Sequence, residues 1–258
     1  MQRRTFVALF AVPLAAALGA SAGCQHSSSQ AMTPRKKILF VLTSHDRKGD
    51  QPSGYYLAEV THPHAVLSAA GHEIDFVSPK GGKPPIDGFD LKDPVNARFW
   101  KDPELRSALE RTKTPSQVQA RDYDALFFAG GHAAMWDLPN NEALAKLAAD
   151  VYDRGGVVAA VCHGPAGLVN VKLQSGDYLV KGRDVAAFTN DEERAVELDQ
   201  VVPFFLADKL KERGARHHPA ANFAPKVVVS ERLVTGQNPA SAQGVGEAIA
   251  KLLARAEA

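Results

Sequence analysis

The stretch Gly155-Gly156-Val157-Val158-Ala159-Ala160-Val161-Cys162-His163-Gly164-Pro165 limits what this chain can fold into more than any other. Its uninterrupted apolar run, introduced by two glycines, suits a strand buried on both faces, as in a parallel sheet covered by helices. The run delivers a cysteine and then at once Gly164 and Pro165, which suit a tight turn and a first helical turn. A residue in that place stands at the carboxyl end of a strand, where open α/β sheets bind their ligands. Most free cysteines are simply buried core residues. Small Ala160 and Gly164 argue for a strand-to-helix elbow instead, because a strained, exposed nucleophile needs room around it. A helix N-terminus following the elbow is expected to favour the thiolate and bring the Cys162 pKa below the free value of about 8.5.

Other segments fit the same frame. Lys37 to Thr43 is a second continuous β-rich run, Tyr55 to Ala70 has helical spacing that stops at Gly71, and Glu73 to Val77 is a strand closed by Ser78-Pro79. Helices are predicted near Val95 to Trp100 and Pro103 to Thr112, with a strand over Asp124 to Ala129 running into Gly130-Gly131. A helix over Asn141 to Arg154 then precedes the cysteine-bearing strand. Tyr178 to Phe188 and Lys226 to Thr235 read as further strands, and Gln243 to Ala254 as a closing helix. Strands separated by helices give the fold class: α/β, a doubly wound, mostly parallel sheet with helices on both faces and a nucleophile elbow after a central strand. No internal repeat appears. A single domain from 36 to 256 is expected.

The chain has 258 residues, 45% of them hydrophobic, within the range of one large α/β domain. Lys and Arg total 30 against 29 Asp and Glu, so no basic excess exists to neutralise a phosphate backbone, and nucleic acid is not an expected partner. Two cysteines are too few for a disulfide framework or a Cys-rich zinc site. Residues 1–23 carry Arg3-Arg4, an apolar run and small residues ending at Gly23-Cys24, the arrangement of an export signal. Gly23-Cys24 also resembles a bacterial lipobox with Cys24 as the lipidated residue, although Ala20-Ser21-Ala22 fits an ordinary cleavage site. The expectation is an exported protein, periplasmic or membrane-anchored, whose contact with a membrane is through that lipid alone. A polar tether, 24–35, would join it to the domain.

Six segments in order resemble the ThiJ/PfpI superfamily of the class I glutamine amidotransferase-like, flavodoxin-like fold. They are Gly54 to Glu59, Ser78 to Gly82, Phe128 to His132, Ala160 to Pro165, Phe188 to Glu193 and Leu233 to Pro239. Within it they look like the branch of glutathione-independent glyoxalases (glyoxalase III) and stress-inducible chaperones. The resemblance implies Cys162 as nucleophile, His163 as base, Glu193 as the orienting acid with Glu192 as the alternative, and Glu59 as the carboxyl that meets the thiol. It further implies Gly131 and His163 backbone N–H groups as an oxyanion site, with His132 near the pocket. A base oriented by a carboxylate activates a thiol, backbone donors hold developing negative charge, and a separate carboxyl moves protons on the substrate.

The resemblance thus implies a lyase converting methylglyoxal or a similar reactive carbonyl to a 2-hydroxy acid, with no cofactor and no metal, as a homodimer. A chaperone-like stress protein and a deglycase are the rival readings. An amidase or peptidase is weaker, since glutamine amidotransferases of the fold place a late His-x-Glu where this chain has His217-His218-Pro219-Ala220. Glu59-x-x-His62-Pro63-His64 has spacing that could hold a metal, but Pro63 distorts that helix face.

Overall fold

The computed structural model describes residues 35–255 together with the isolated positions Gln2 and Ala8. Those two positions apart, the expected export leader, the lipidation candidate Cys24 and the tether up to residue 34 lie outside the described residues. Six strands make the central sheet: β1 (Lys37–Val41), β2 (Glu73–Val77), β3 (Ala125–Phe128), β4 (Val157–Val161), β5 (Val227–Ser230) and β6 (Leu233–Gly236). They lie in the order β5-β6-β4-β3-β1-β2, and every neighbouring pair is parallel except β5 with β6. The helices that cover the sheet or carry the site are α1 (Leu57–Ala69), α2 (Pro94–Lys101), α3 (Pro103–Glu110), α4 (Glu142–Asp153), α5 (Asn190–Ala195) and α6 (Ala242–Arg255).

Alternation along these strands builds two cores. Ile38 and Phe40 of β1, Phe127 of β3 and Ala159 of β4 face α1 and α6, which bring Val60, Leu67, Val245 and Ile249. Leu39, Val41, Leu126, Phe128, Val158 and Ala160 point the other way, onto Leu144, Leu147 and Val151 of α4. Each of the Val, Leu, Ile and Phe side chains among them contributes about 1.5–3 kcal/mol when fully buried. Since β4 is buried along its whole length, its carboxyl end is held from both sides.

Local chemistry explains the helices of the middle segment. Asp93 accepts from the N–H groups of Val95 and Asn96 to start α2, and Asp102 accepts from Glu104 and Leu105 to start α3. Each cap is followed by proline, whose fixed φ suits the first helical position.

Three sequence expectations change. Tyr178 to Phe188 is mostly turn and irregular backbone, preceded by Gly176 and broken by Gly182, both in the left-handed region; its strand piece is Asp184–Val185, paired with Arg216–His217. Lys226 to Thr235 is not one strand but the hairpin β5–β6, turning at Glu231 with φ 55°. The helix expected from Tyr55 begins at Leu57, because Tyr55 and Tyr56 donate their N–H groups to the carbonyls of Pro85 and Gly130. That bond to Gly130 ties the entrance of α1 to the end of β3.

Candidate active site

Strand ends and one short helix meet at the carboxyl edge of the sheet. Cys162 directly follows β4 with φ 59°, an uncommon conformation for a residue with a side chain and the mark of an elbow. The segment after it, Gly164–Leu168, is a 3-10 turn and not the α-helix expected. Gly164 is obligatory, since a Cβ there would stand 2.2 Å from the Phe128 carbonyl oxygen.

His163 is fully buried, with Nδ1 3.3 Å from the Cys162 sulfur and Nε2 2.9 Å from Glu193 Oε2. Glu193 is carried by α5, whose first turn is fixed by a capping box between Thr189 and Glu192.

Both oxygens of the Glu193 carboxylate are used: Oε2 takes the His163 N–H and Oε1 takes that of His132, also at 2.9 Å. A carboxylate can only accept, so both Nε2 atoms carry hydrogen, and the Nδ1 of His163 that faces the thiol is a lone pair. Burial and the neighbouring His132 lower the His163 pKa to about 4, which keeps the ring neutral near pH 7. Burial alone would raise Glu193, but the hydrogen bonds from His132 and His163 outweigh it and hold the carboxyl at about 2.

Glu59, in the first turn of α1, is completely buried, and its Oε2 accepts the Gly130 N–H at 2.9 Å. A Cβ on Gly130 would stand 2.5 Å from that oxygen and 2.8 Å from the His163 nitrogen, so only glycine lets these groups converge. Oε1 makes no well-formed hydrogen bond, and the Cys162 thiol is the polar group beside the carboxyl. Burial raises the Glu59 pKa to about 8 against the opposing effect of the thiol and the Gly130 N–H. Burial, and then the Glu59 carboxylate, push the thiol up as well. The expected lowering of the Cys162 pKa is therefore reversed: no α-helix N-terminus follows the elbow, and the nearest charge is negative.

The structure brings Cys162, His163, Glu193, Glu59, Gly131 and His132 together. Cys162, Glu59, Gly131 and His132 line one cleft of about 430 Å3 with Lys48, Tyr56, Asp87, Phe188, Glu197 and Phe223. Glu192 is turned away. Its carboxylate accepts from the backbone of Thr189 and Phe223 and from the side-chain amides of Gln237 and Asn238. His132, His163 and Glu193 are also the grouping among the described residues with metal-ligand atoms within 4.8 Å of one another, but their hydrogen bonds to each other already occupy those atoms. The helix motif does not converge: His62 bonds Asp93, and His64 packs on Phe76 and Phe99. His217 and His218 bond the Ala187 carbonyl and Asp184, away from the thiol. Sequence reasoning missed Phe223, which sits in a loop with no pattern around it to draw attention.

Fold and site together define a class, an α/β protein with a buried cysteine elbow served by a histidine and two carboxyls. Residues 52–252 match the DJ-1/PfpI family, and the chain belongs to it. It is 34% identical over 227 residues to the glutathione-independent glyoxalase HSP31 of Saccharomyces cerevisiae, covering 80% of this chain and 93% of that protein. Among solved structures it resembles the rapid encystment protein REP24 of Francisella tularensis, with a TM-score of 0.81 and 38% identity over 84% of this chain and 99% of the other. Glyoxalase III of Candida albicans gives a TM-score of 0.79 and 29% identity, over 84% and 97%. These relatives correct the expected location. The curated proteins aligned with the body of the chain are glyoxalases of yeasts and not proteins of a bacterial envelope, so the exported, periplasmic or lipid-anchored reading is withdrawn.

Proposed function

We propose that this protein is a glutathione-independent glyoxalase that converts a 2-oxoaldehyde to a 2-hydroxy acid. The observation that carries the reading is the placement of a buried carboxyl with a pKa near 8, Glu59, against a thiol whose other neighbour is the lone pair of His163. A reactive cysteine alone needs the histidine but not the second carboxyl. Its relatives named as glutathione-independent glyoxalases support the same conclusion.

In this mechanism His163 Nδ1 takes the thiol proton as Sγ bonds to the aldehyde carbon, and then returns it to the resulting oxyanion to give a hemithioacetal. Backbone N–H groups of Gly131 and His163 are the donors that stabilise the developing charge in this reading. Ionised Glu59 then removes the hydrogen on that carbon as a proton, leaving an enediolate, and returns it to the adjacent carbon while the hydroxyl proton passes from the first oxygen to the second, which gives a thioester with a neighbouring hydroxyl. Water, deprotonated by His163, cleaves the thioester to the 2-hydroxy acid and the free thiol. Aldehyde oxidation is balanced by ketone reduction, so the sum is addition of water with no external oxidant. A base with a pKa near 8 suits removal of a carbon-bound proton near neutral pH. The ligand in this proposal is a small reactive carbonyl, and the assembled form is a homodimer.

The test is a stereo-resolved assay of lactate formed from methylglyoxal by native protein and Cys162→Ala. One lactate enantiomer from the native protein and none from the variant is the expected result. Suppression of client aggregation without lactate formation, unaffected by Cys162→Ala, would replace this reading with a chaperone.

A further inference from the structure

The cleft is larger than methylglyoxal requires. That molecule has about five non-hydrogen atoms, whereas cavities of roughly 300–1,000 Å3 accommodate far larger ligands, and this one measures about 430 Å3. One part of its rim is apolar, although Lys48, Gln51, Asp87 and Glu197 also line the cleft. Among the described residues, the exposed large hydrophobic side chains are Phe89, Leu91, Val196, Phe223 and Val229, and two of these, Val196 and Phe223, line this one cleft. Behind them buried Phe188 and Leu198 continue the apolar wall, with the Phe188 and Phe223 rings 6.4 Å apart.

Phe223 is held there. Its φ is 61°, a left-handed conformation that a bulky residue keeps only when its surroundings fix it. The fixing group is Glu192, whose buried carboxylate accepts the Phe223 N–H at 2.8 Å while bonding Gln237 and Asn238. Glu197, on the same rim, shares the left-handed conformation at φ 58°. Also in the cleft lining, the Lys48 ammonium lies 3.1 Å from Asp87, so its charge is already answered and does not call for an anionic substituent.

Resting on the glyoxalase reading, we propose that the site selects 2-oxoaldehydes bearing an apolar substituent over methylglyoxal, and that Phe223 is the specificity-determining residue. Extra methylene groups of such a substituent would leave water against Phe223, Val196 and Phe188. The chemistry at Cys162 is unchanged, since the aldehyde and ketone carbons are the same in both substrates.

The experiment compares kcat/KM for isobutylglyoxal and methylglyoxal in the native protein, Phe223→Ala and Phe223→Leu. We expect a native preference for isobutylglyoxal of about tenfold, the usual worth of added methylenes in an apolar pocket. In Phe223→Ala that ratio falls close to one, and in Phe223→Leu most of it returns. A native ratio of one or below, or an Ala variant that slows both substrates equally, overturns the selection while methylglyoxal turnover leaves the glyoxalase reading standing. If neither aldehyde yields a 2-hydroxy acid, both fall.

Discussion

The Glu59 carboxyl and the Cys162 thiol occupy one buried space in which they resist ionising together. While it keeps its proton the thiol eases ionisation of Glu59, and the carboxylate so formed holds that proton on the sulfur, on top of what burial costs each group. Glu59→Gln keeps the shape and removes the proton carrier. Adduct formation should persist, while turnover falls by about 10² to 10⁴, the usual contribution of general acid–base catalysis. The measurements are kcat for the 2-hydroxy acid and mass detection of the trapped adduct; near-native turnover would remove Glu59 from the mechanism.

The same pair sets the thiol's reactivity. Alkylation of native Cys162 should rise only at pH values above those of a free thiol, and Glu59→Gln should move the profile down, because one negative neighbour is gone. An unchanged profile in the variant would show that the carboxylate does not reach the sulfur electrostatically.

Stability follows from the same shift. Glu59 binds its proton more tightly folded, with a pKa of about 8, than unfolded. Its contribution is therefore complete below the ordinary carboxylate range and is lost as pH rises through about 8. The melting temperature of Glu59→Gln minus that of the native protein should grow between about pH 5 and pH 8. A flat difference would count against a raised pKa.

Glu193 carries the opposite sign. Its pKa of about 2 means that its stabilisation is present above the ordinary carboxylate range and disappears as pH falls through about 2. Glu193→Gln should lower stability at pH 7 by on the order of 3 kcal/mol. It should also lower kcat by about 10² or more, because His163 loses the acceptor that fixes its tautomer. Denaturant titration and steady-state kinetics read the two effects separately.

Glu192, one residue earlier, should behave differently. Glu192→Ala leaves the donors of Thr189, Phe223, Gln237 and Asn238 without their acceptor, at about 1–3 kcal/mol for each one that stays buried and unpaired. Stability should fall more than in Glu193→Gln, and the pH profile of any remaining turnover should move down, because the Glu192 charge raises the pKa of both Cys162 and His163. An unmoved profile would show that the Glu192 charge does not reach the thiol and the imidazole.

Much of the fold is readable from residue order. The apolar run into Cys162 requires a covered strand, and Gly164-Pro165 stops it, so both elbow and sheet follow from short-range chemistry. The partnership of Cys162 with Glu59 and Glu193 came through resemblance, since those residues meet only when distant strand ends align. Tyr178 to Phe188 misled because its Leu, Val and Ala content suits a strand, while the glycines at 176 and 182 turn the chain. The hairpin at Glu231-Arg232 lacks the Asn-Gly or Asp-Gly signal that would have announced it. Phe223 was invisible because its conformation is imposed by a carboxylate 31 residues away.

The parallel pairing of β1, β3 and β4 has a consequence for how the molecule is made. Ile38 pairs with Ala125 and Leu126 with Val158, so long loops must close before the carboxyl edge exists. A chain emerging from the ribosome holds Glu59 and Gly130 well before it holds the cysteine, and Glu193 comes later still. Until the last of these arrives, the thiol has no oriented base, and chemistry begins only once the sheet is closed around it.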